Sequence, residues 1–330
     1  MKTEGIIFPE PGEVTFGEVE VEDPVEGDAV VRTTRTVLST GTDLRTLRGG
    51  QTDEFPVVPS YSAIGIVEEI RGDGGLVREG DLVFSGAPKG LVDINRCWGA
   101  QVRRCVTRAG SLLKLDERRA QEEYVFSKVA AIALHGVRRS DSEPGDRVVV
   151  VGQGLIGQLH ARIQAAFGRL VVATDLIPWR LARSLAGGVL RTINAAEEDV
   201  EAVVRDLWPE GPQVAVEASA RQEGIDQCAE LVRGRQWNSD DRMPMLLLQG
   251  SYMERISLDA RTLFMKEFRV INTRDTDPRD LVGAACMIGA GALRVDDLVT
   301  KTAAPGDAPD AFRELIENPE EHFTVVFDWE

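Results

Sequence analysis

Residues 148–157 read VVVVGQGLIG, and Asp175 follows 18 positions after the last of these glycines. Four consecutive valines suit a parallel strand covered on both faces, where alternation is not needed. Gly152, Gly154 and Gly157 then fit G-x-G-x-x-G. The first glycine permits a tight turn. The second lets a pyrophosphate approach the backbone, and the third lets the next helix pack on the strand. That helix is expected over 158–167, with its N-terminal N–H groups aimed at the phosphates. Leu155 and Ile156 supply the backbone turn over the pyrophosphate. A second strand is expected over 170–174. Asp175 at its end stands where a carboxylate receives both ribose hydroxyls of NAD. The same carboxylate repels a 2′-phosphate, so NAD is expected rather than NADP.

The texture around this stretch supports an α/β domain. Downstream, strand and helix patterns alternate: a helix over 178–186 with proline in its first turn, a strand over 214–218 and a helix near 222–232. Further strands are expected over 245–249 and 269–273. This is the pattern of a doubly wound parallel sheet. Upstream, residues 1–123 read as short strands punctuated by Gly and Pro, among them 14–21, 29–34, 63–70, 82–84 and 100–107. Past the last parallel strand, 323–327 reads as a strand that returns to this first domain, and 295–300 as an edge strand.

Composition narrows the class. The chain has 330 residues, 43% hydrophobic and 28% charged, as in a soluble globular protein. No apolar run approaches the ~20 residues of a membrane span, and the first residues lack the apolar core of a signal peptide. Four scattered cysteines without C-x-x-C imply no disulfide framework, so a cytoplasmic location is expected. A net charge of −16 argues against a nucleic-acid partner.

Taken as a whole, the chain resembles the medium-chain dehydrogenase/reductase family. Thr40-Gly41-Thr42-Asp43 is similar to that family's C-G-T-D segment, and PSYSAIG (59–65) to its P-G-H-E-x-x-G segment. Gly80-Asp81-Leu82-Val83 resembles G-D-R-V, and residues 122–139 resemble the domain junction of sorbitol-type members. Val216-Glu217-Ala218-Ser219 and 248–251 resemble nicotinamide-side segments. PSYS, GQGLIG and ALHGVRR together look like the zinc-free oxidoreductases grouped with bacteriochlorophyllide dehydrogenase. The resemblance implies a GroES-like, β-rich catalytic domain (1–126 and 275–330) and an NAD-binding Rossmann domain (127–274). It also implies Arg180 beside the adenosine. Ala218, Ser219, Gln249, Gly250 and Ser251 are then expected along the nicotinamide half, with Arg274 at the active-site mouth. A homodimer, or a homotetramer, joined through the Rossmann sheets is expected by the same analogy.

Departures from the family decide the expected chemistry. Zinc-type members hold metal through a cysteine, a histidine and a third acidic or cysteine ligand. The matching positions here are Thr40, Tyr61 and Lys128, and the four-cysteine structural lobe is reduced to Cys97 and Cys105. A lysine ammonium is the opposite of a zinc ligand, so no metal is expected. Something else must then polarise the substrate. Tyr61 is the candidate acid/base and Lys128 its electrostatic partner, because a nearby ammonium favours the phenolate. The alternatives are a pocket-wall tyrosine and an exposed lysine at a helix start. Thr42 is the candidate hydroxyl relay, Asp43 an orienting carboxylate or a helix cap, Thr40 a polar or merely small residue, and Arg45 a substrate contact. His135 reads as a satisfied buried histidine, His160 as a residue on the surface of the first Rossmann helix and His322 as peripheral.

Three functions fit these residues. The first is a zinc-independent, NAD-dependent dehydrogenase that interconverts a secondary alcohol and a ketone, with a polyol, sugar or cyclitol-like metabolite as substrate. The second is a double-bond reductase of the enoyl or quinone type. The third is a catalytically inactive nucleotide-binding protein.

Overall fold

The computed structural model describes residues 1–118, 122–238 and 240–330. The chain opens with β1 (Lys2–Ile7), β2 (Thr15–Val21) and β3 (Asp28–Val37), followed by the helix α1 (Thr40–Leu47). Then come β4 (Val57–Val58), β5 (Ala63–Ile70), β6 (Leu82–Phe84), β7 (Leu91–Val92), β8 (Asn95–Arg96), β9 (Arg104–Arg108) and β10 (Leu113–Lys114). Helix α2 (Ser127–Arg139) leads into β11 (Arg147–Val151), α3 (Leu155–Ala166), β12 (Leu170–Asp175), α4 (Pro178–Ala186) and β13 (Arg191–Asn194). Next are α5 (Val200–Leu207), β14 (Val214–Glu217), α6 (Gln222–Leu231), β15 (Met245–Leu248), α7 (Ala260–Lys266), β16 (Arg269–Asn272) and α8 (Pro278–Gly289). The chain closes with β17 (Lys301–Ala303), α9 (Ala308–Glu317) and β18 (Val325–Asp328).

These elements form two compact units. The first comprises Met1–Val129, Ala285–Gly291 and Val295–Glu330, and the second Ala130–Ala284 with Ala292–Arg294. In the first unit the main sheet runs β10-β6-β5-β3-β18-β17, with β9 also pairing β3. The last strand does return: β18 lies antiparallel to β3, with Phe327 opposite Thr36. Its side chains complete a core in which Phe312 meets Phe8 edge-on, with centroids 5.3 Å apart, and stacks near Phe327.

In the second unit the sheet runs β13-β12-β11-β14-β15-β16. Every pairing is parallel. Counted along the chain this is the order 3-2-1-4-5-6 of a dinucleotide-binding domain. The valine run explains itself here. Val148 and Val150 pack into one apolar cluster, while Val149 and Val151 pack into another. Alternate residues point to opposite faces of a strand, so both faces of β11 are covered and both must be apolar.

Two sequence expectations are corrected. Residues 295–300 form no strand. Asp296–Leu298 make a single 3-10 turn, and the strand that follows, β17, belongs to the first unit. Val295 and Leu298 are both buried three residues apart, a helical spacing, with Asp296 and Asp297 between them. The edges of the parallel sheet are β13 and β16. The other difference concerns 275–284, expected with the first domain. Pro278–Ala284 lie in the second unit. Asp280 is the reason. Its carboxylate accepts the Asp277 N–H, 2.9 Å, at the start of α8, and also binds Arg138 of α2, 2.5 Å.

Candidate active site

The glycine turn has the geometry that its sequence demands. Gly152 sits at φ +88°, a left-handed conformation that side chains rarely adopt. A Cβ on Gly157 would stand 1.9 Å from the Gly152 carbonyl oxygen, so α3 can approach the turn only with glycine there. Gly154, half-buried, is the N-cap of α3, and no side chain caps it. A Cβ there would meet nothing within 4 Å. The space beside Gly154 is thus open at the positive end of a helix dipole, where the first-turn N–H groups have no side-chain cap. That cradle fits a dinucleotide pyrophosphate.

Asp175 closes β12 beside it. One carboxylate oxygen accepts the Gln153 N–H, 2.6 Å, and the other the Ile177 N–H, 2.9 Å. These donors fix the carboxylate at the rim of the turn. The Arg180 guanidinium lies over the Trp179 ring, 5.6 Å from its centroid. Beneath them the fully buried Gln153 side chain binds the Val150 and Gly152 carbonyls and accepts from the Ser184 hydroxyl. Sequence reasoning missed Gln153. The fingerprint leaves that position open, and only the tertiary fold brings Ser184 of α4 to it.

The loops after β14 and β15 hold the other expected cofactor contacts. Ala218 is half-buried, Gly250 half-buried, and Ser219 and Ser251 exposed. Gln249 departs from its expected orientation. Its side chain turns inward, where its Nε2 donates to the Ile132 carbonyl at 3.3 Å and its Oε1 lies over Gly136. Only its backbone is left for a cofactor. His160, expected on the helix surface, is instead fully buried in α3, where it neighbours this amide and Gln164. Burial pushes its imidazole pKa down to about 4, so the ring is neutral. Glu217, at the end of β14, was not singled out by sequence. It is fully buried and accepts from Ser219, Ala220 and the Tyr252 hydroxyl. Arg274 is exposed, just beyond β16.

The first unit gathers the residues of the family's ligand segments. Thr40, Thr42, Asp43 and Arg45 all lie on α1, which begins where β3 ends. Asp43 is buried, and one of its oxygens accepts the N–H of Ser39, the N-cap residue, at 2.7 Å. It lies inside the helix, four residues past the N-cap, and braces that residue's backbone. Burial pushes its carboxyl up to about 7, against the pull of the Ser39 and Ser60 N–H groups. Thr42 receives a 3.4 Å hydrogen bond from the Ser39 hydroxyl. Thr40 is half-buried. Arg45 reaches Gln51 at 3.4 Å and the Gly41 carbonyl at 3.5 Å. Tyr61 is buried between β4 and β5, edge-on to Trp98 with centroids 5.2 Å apart. The preceding Ser60 has φ 71° and donates to the Val37 carbonyl, and the following Ser62 donates to the Val125 carbonyl at 2.6 Å. Tyr61 is thus held from both sides. Lys128, half-buried, is the second residue of α2.

Thr40, Tyr61 and Lys128 make a poor donor set for zinc, which takes thiolate, imidazole and carboxylate ligands. Among the described residues one His/Cys/Asp/Glu triad has ligand atoms within 4.8 Å of one another: His135, Asp277 and Asp280, in the second unit. There Asp280 is already engaged by His135 Nδ1, 2.7 Å, by Arg138 and by the Asp277 N–H. His135 is a satisfied buried histidine, as its apolar helix suggested.

No family model matches the chain. Its likeness to known proteins nonetheless spans its length. It is 28% identical over 335 residues to the 2-desacetyl-2-hydroxyethyl bacteriochlorophyllide A dehydrogenase of Rhodobacter capsulatus, covering all of this chain and 99% of that one. Its fold matches the 2R,3R-butanediol dehydrogenase of Bacillus subtilis with a TM-score of 0.87 at 17% identity, over the full length of both. It also matches an alcohol dehydrogenase of Escherichia coli CFT073 complexed with NADH, with a TM-score of 0.84 at 17% identity over 99% of each chain. By the order of its segments, its two units and these likenesses, the chain is similar over its whole length to medium-chain dehydrogenases/reductases.

Proposed function

We propose that this protein is an NAD-dependent, zinc-independent oxidoreductase that interconverts a secondary alcohol and a ketone. A polyol, sugar or cyclitol-like metabolite is its substrate class. Kinship makes it an oxidoreductase acting on an alcohol. The observation that carries the finer reading is the uncapped Gly152–Gly157 turn with the Asp175 carboxylate at its rim. A carboxylate held there accepts ribose hydroxyls and repels a 2′-phosphate, which supports NAD over NADP.

A dinucleotide held by the Gly152–Gly157 turn and Asp175 would supply a hydride acceptor for the carbinol carbon. Everything else falls to side chains. Tyr61 receives the hydroxyl proton as general base and returns it in the reverse direction. Lys128 lowers the energy of the phenolate that this requires. Thr42, with Thr40, offers hydroxyls for proton relay, and the buried Asp43 fixes the start of α1 that carries both. Arg45 and Arg274 supply charge-assisted hydrogen bonds for a hydroxyl-rich substrate. The donor set at Thr40, Tyr61 and Lys128 supports a reaction without zinc.

Fluorescence titration with NADH and NADPH, followed by turnover of a polyol panel with and without a chelator, tests this reading. NADH should bind at least ~10-fold more tightly, and chelation should leave the rate unchanged. Tyr61→Phe and Lys128→Ala should lower kcat ~100-fold or more with NADH affinity intact. No NADH binding would sink the proposal. A preference for NADPH with reduction of enones would point to a double-bond reductase, and zinc-restored activity after chelation would refute zinc independence.

A further inference from the structure

We infer that Glu217 and Tyr252 are positioning residues. They lock the two loops that follow β14 and β15 into the shape that receives the nicotinamide half of the cofactor. The inference rests on the dinucleotide reading above and adds to it a device that the glycine fingerprint does not contain.

Glu217 is a fully buried carboxylate at the carboxyl end of a central parallel strand. Among the described residues it makes no ion pair. Its partners are all neutral donors: the Ser219 N–H at 2.7 Å, the Ser219 hydroxyl, the Ala220 N–H at 3.2 Å and the Tyr252 hydroxyl. A buried charge without a counterion is costly unless donors surround it. A valine would continue β14 without that cost. What the carboxylate does instead is join two loops. Oε1 accepts from the Ser219 N–H and hydroxyl, and Oε2 from both the Ala220 N–H and the hydroxyl of Tyr252 in the neighbouring loop.

The surrounding glycines confirm how closely these pieces fit. A Cβ on Gly224 would lie 2.6 Å from Glu217 Oε1, and one on Gly250 would lie 2.8 Å from Oε2 and 2.9 Å from the Ala220 Cα. Ala220 itself is held at φ 58°, a conformation that a non-glycine residue adopts only under constraint. A Cβ on Gly152 would stand 2.7 Å from the Ser219 nitrogen. The carboxylate therefore ties the β14 loop to the β15 loop, and the pyrophosphate turn packs against the first of these at Ser219. Ligands of open α/β sheets bind at this carboxyl edge. Burial, and then the Glu217 charge, push the Tyr252 phenol far above its ordinary pKa, so it stays a proton donor to Glu217. It braces the loops and is not itself an acid or base in the reaction.

The test separates the two halves of the cofactor. Wild type, Glu217→Gln and Tyr252→Phe are titrated calorimetrically with NADH and with ADP-ribose, which lacks the nicotinamide. Both variants should bind NADH at least ~10-fold more weakly while ADP-ribose affinity changes less than ~2-fold. A purely structural role would weaken both ligands together or neither, and either result overturns the inference. If Glu217→Gln fails to fold, Tyr252→Phe, which removes one hydroxyl, decides alone. Wild type that binds neither ligand would overturn the dinucleotide reading itself. Wild type that binds both, with variants unchanged, overturns only the role given to Glu217 and Tyr252.

Discussion

At the scale of single residues, Asp43 carries the clearest consequence. Its folded pKa, about 7, lies above the ordinary carboxyl value of 3.8. A group whose pKa rises on folding holds its proton more tightly in the native state. The stability tied to that proton is complete below about pH 4 and is lost as the pH climbs through 7. Wild-type unfolding free energy, measured by urea titration, should therefore fall between pH 5 and pH 8 by up to about 3 kcal/mol from this residue. Asp43→Asn keeps an acceptor for the Ser39 N–H and should remove that part of the slope. An identical slope in the variant would show that the carboxyl is ionised throughout. The sequence left Asp43 open between an orienting carboxylate and a helix cap. The structure puts the N-cap at Ser39 and Asp43 inside the helix, where its carboxylate accepts the Ser39 N–H. The alternation of types along α1 could not settle this, because it does not say which side chain the first unit buries.

At the scale of elements, the helices and strands with strong periodicity were legible, and the short polar ones were not. The glycine turn, α3, β12 and Asp175 follow from residues 148–175 almost position by position. β13, reading Arg191-Thr-Ile-Asn, has one fully buried residue in four, so no local pattern marks it. It is a strand because β12 offers it a parallel edge. Contacts between elements also impose residue choices invisible in sequence. Gly136 lies mid-helix in α2, where glycine is ordinarily unfavourable. A Cβ there would fall 1.7 Å from Gln249 Oε1 and 3.3 Å from the His160 ring. Gly136→Ala should displace the Gln249 amide and destabilise the protein by ~1–3 kcal/mol despite the better helix propensity. Thermal unfolding checks this, and an unchanged or raised Tm would contradict the packing argument.

At the scale of the whole molecule, the open question is assembly. β16 is one of the two edges of the parallel sheet, and Val270 on it is 37% exposed. An unpaired edge with a free row of N–H and C=O groups is a template for pairing. We propose that the protein is a homodimer through this edge, in place of residues 295–300. Light scattering should give twice the 36.1 kDa chain mass, and Val270→Pro, which removes a ladder donor, should give the monomer. A monomeric wild type would refute it. No helix among the described residues is long and apolar enough to cross a membrane.

What residues 148–175 determined by themselves was a dinucleotide-type turn, because each glycine there answers a local demand: a positive φ at Gly152, an open approach at Gly154, a close helix contact at Gly157. The family segments at 40–43 and 59–65 likewise marked Thr40, Asp43 and Tyr61 from local residue types, but not the helix α1 that carries the first two. Only the tertiary structure decided the partners of Glu217, the inward turn of Gln249, the bond between His135 and Asp280, and the edge at β16. Each of these joins positions far apart in the chain. A buried polar group is defined by the donors and acceptors that surround it, and those are set by how elements pack, a quantity that no local pattern encodes.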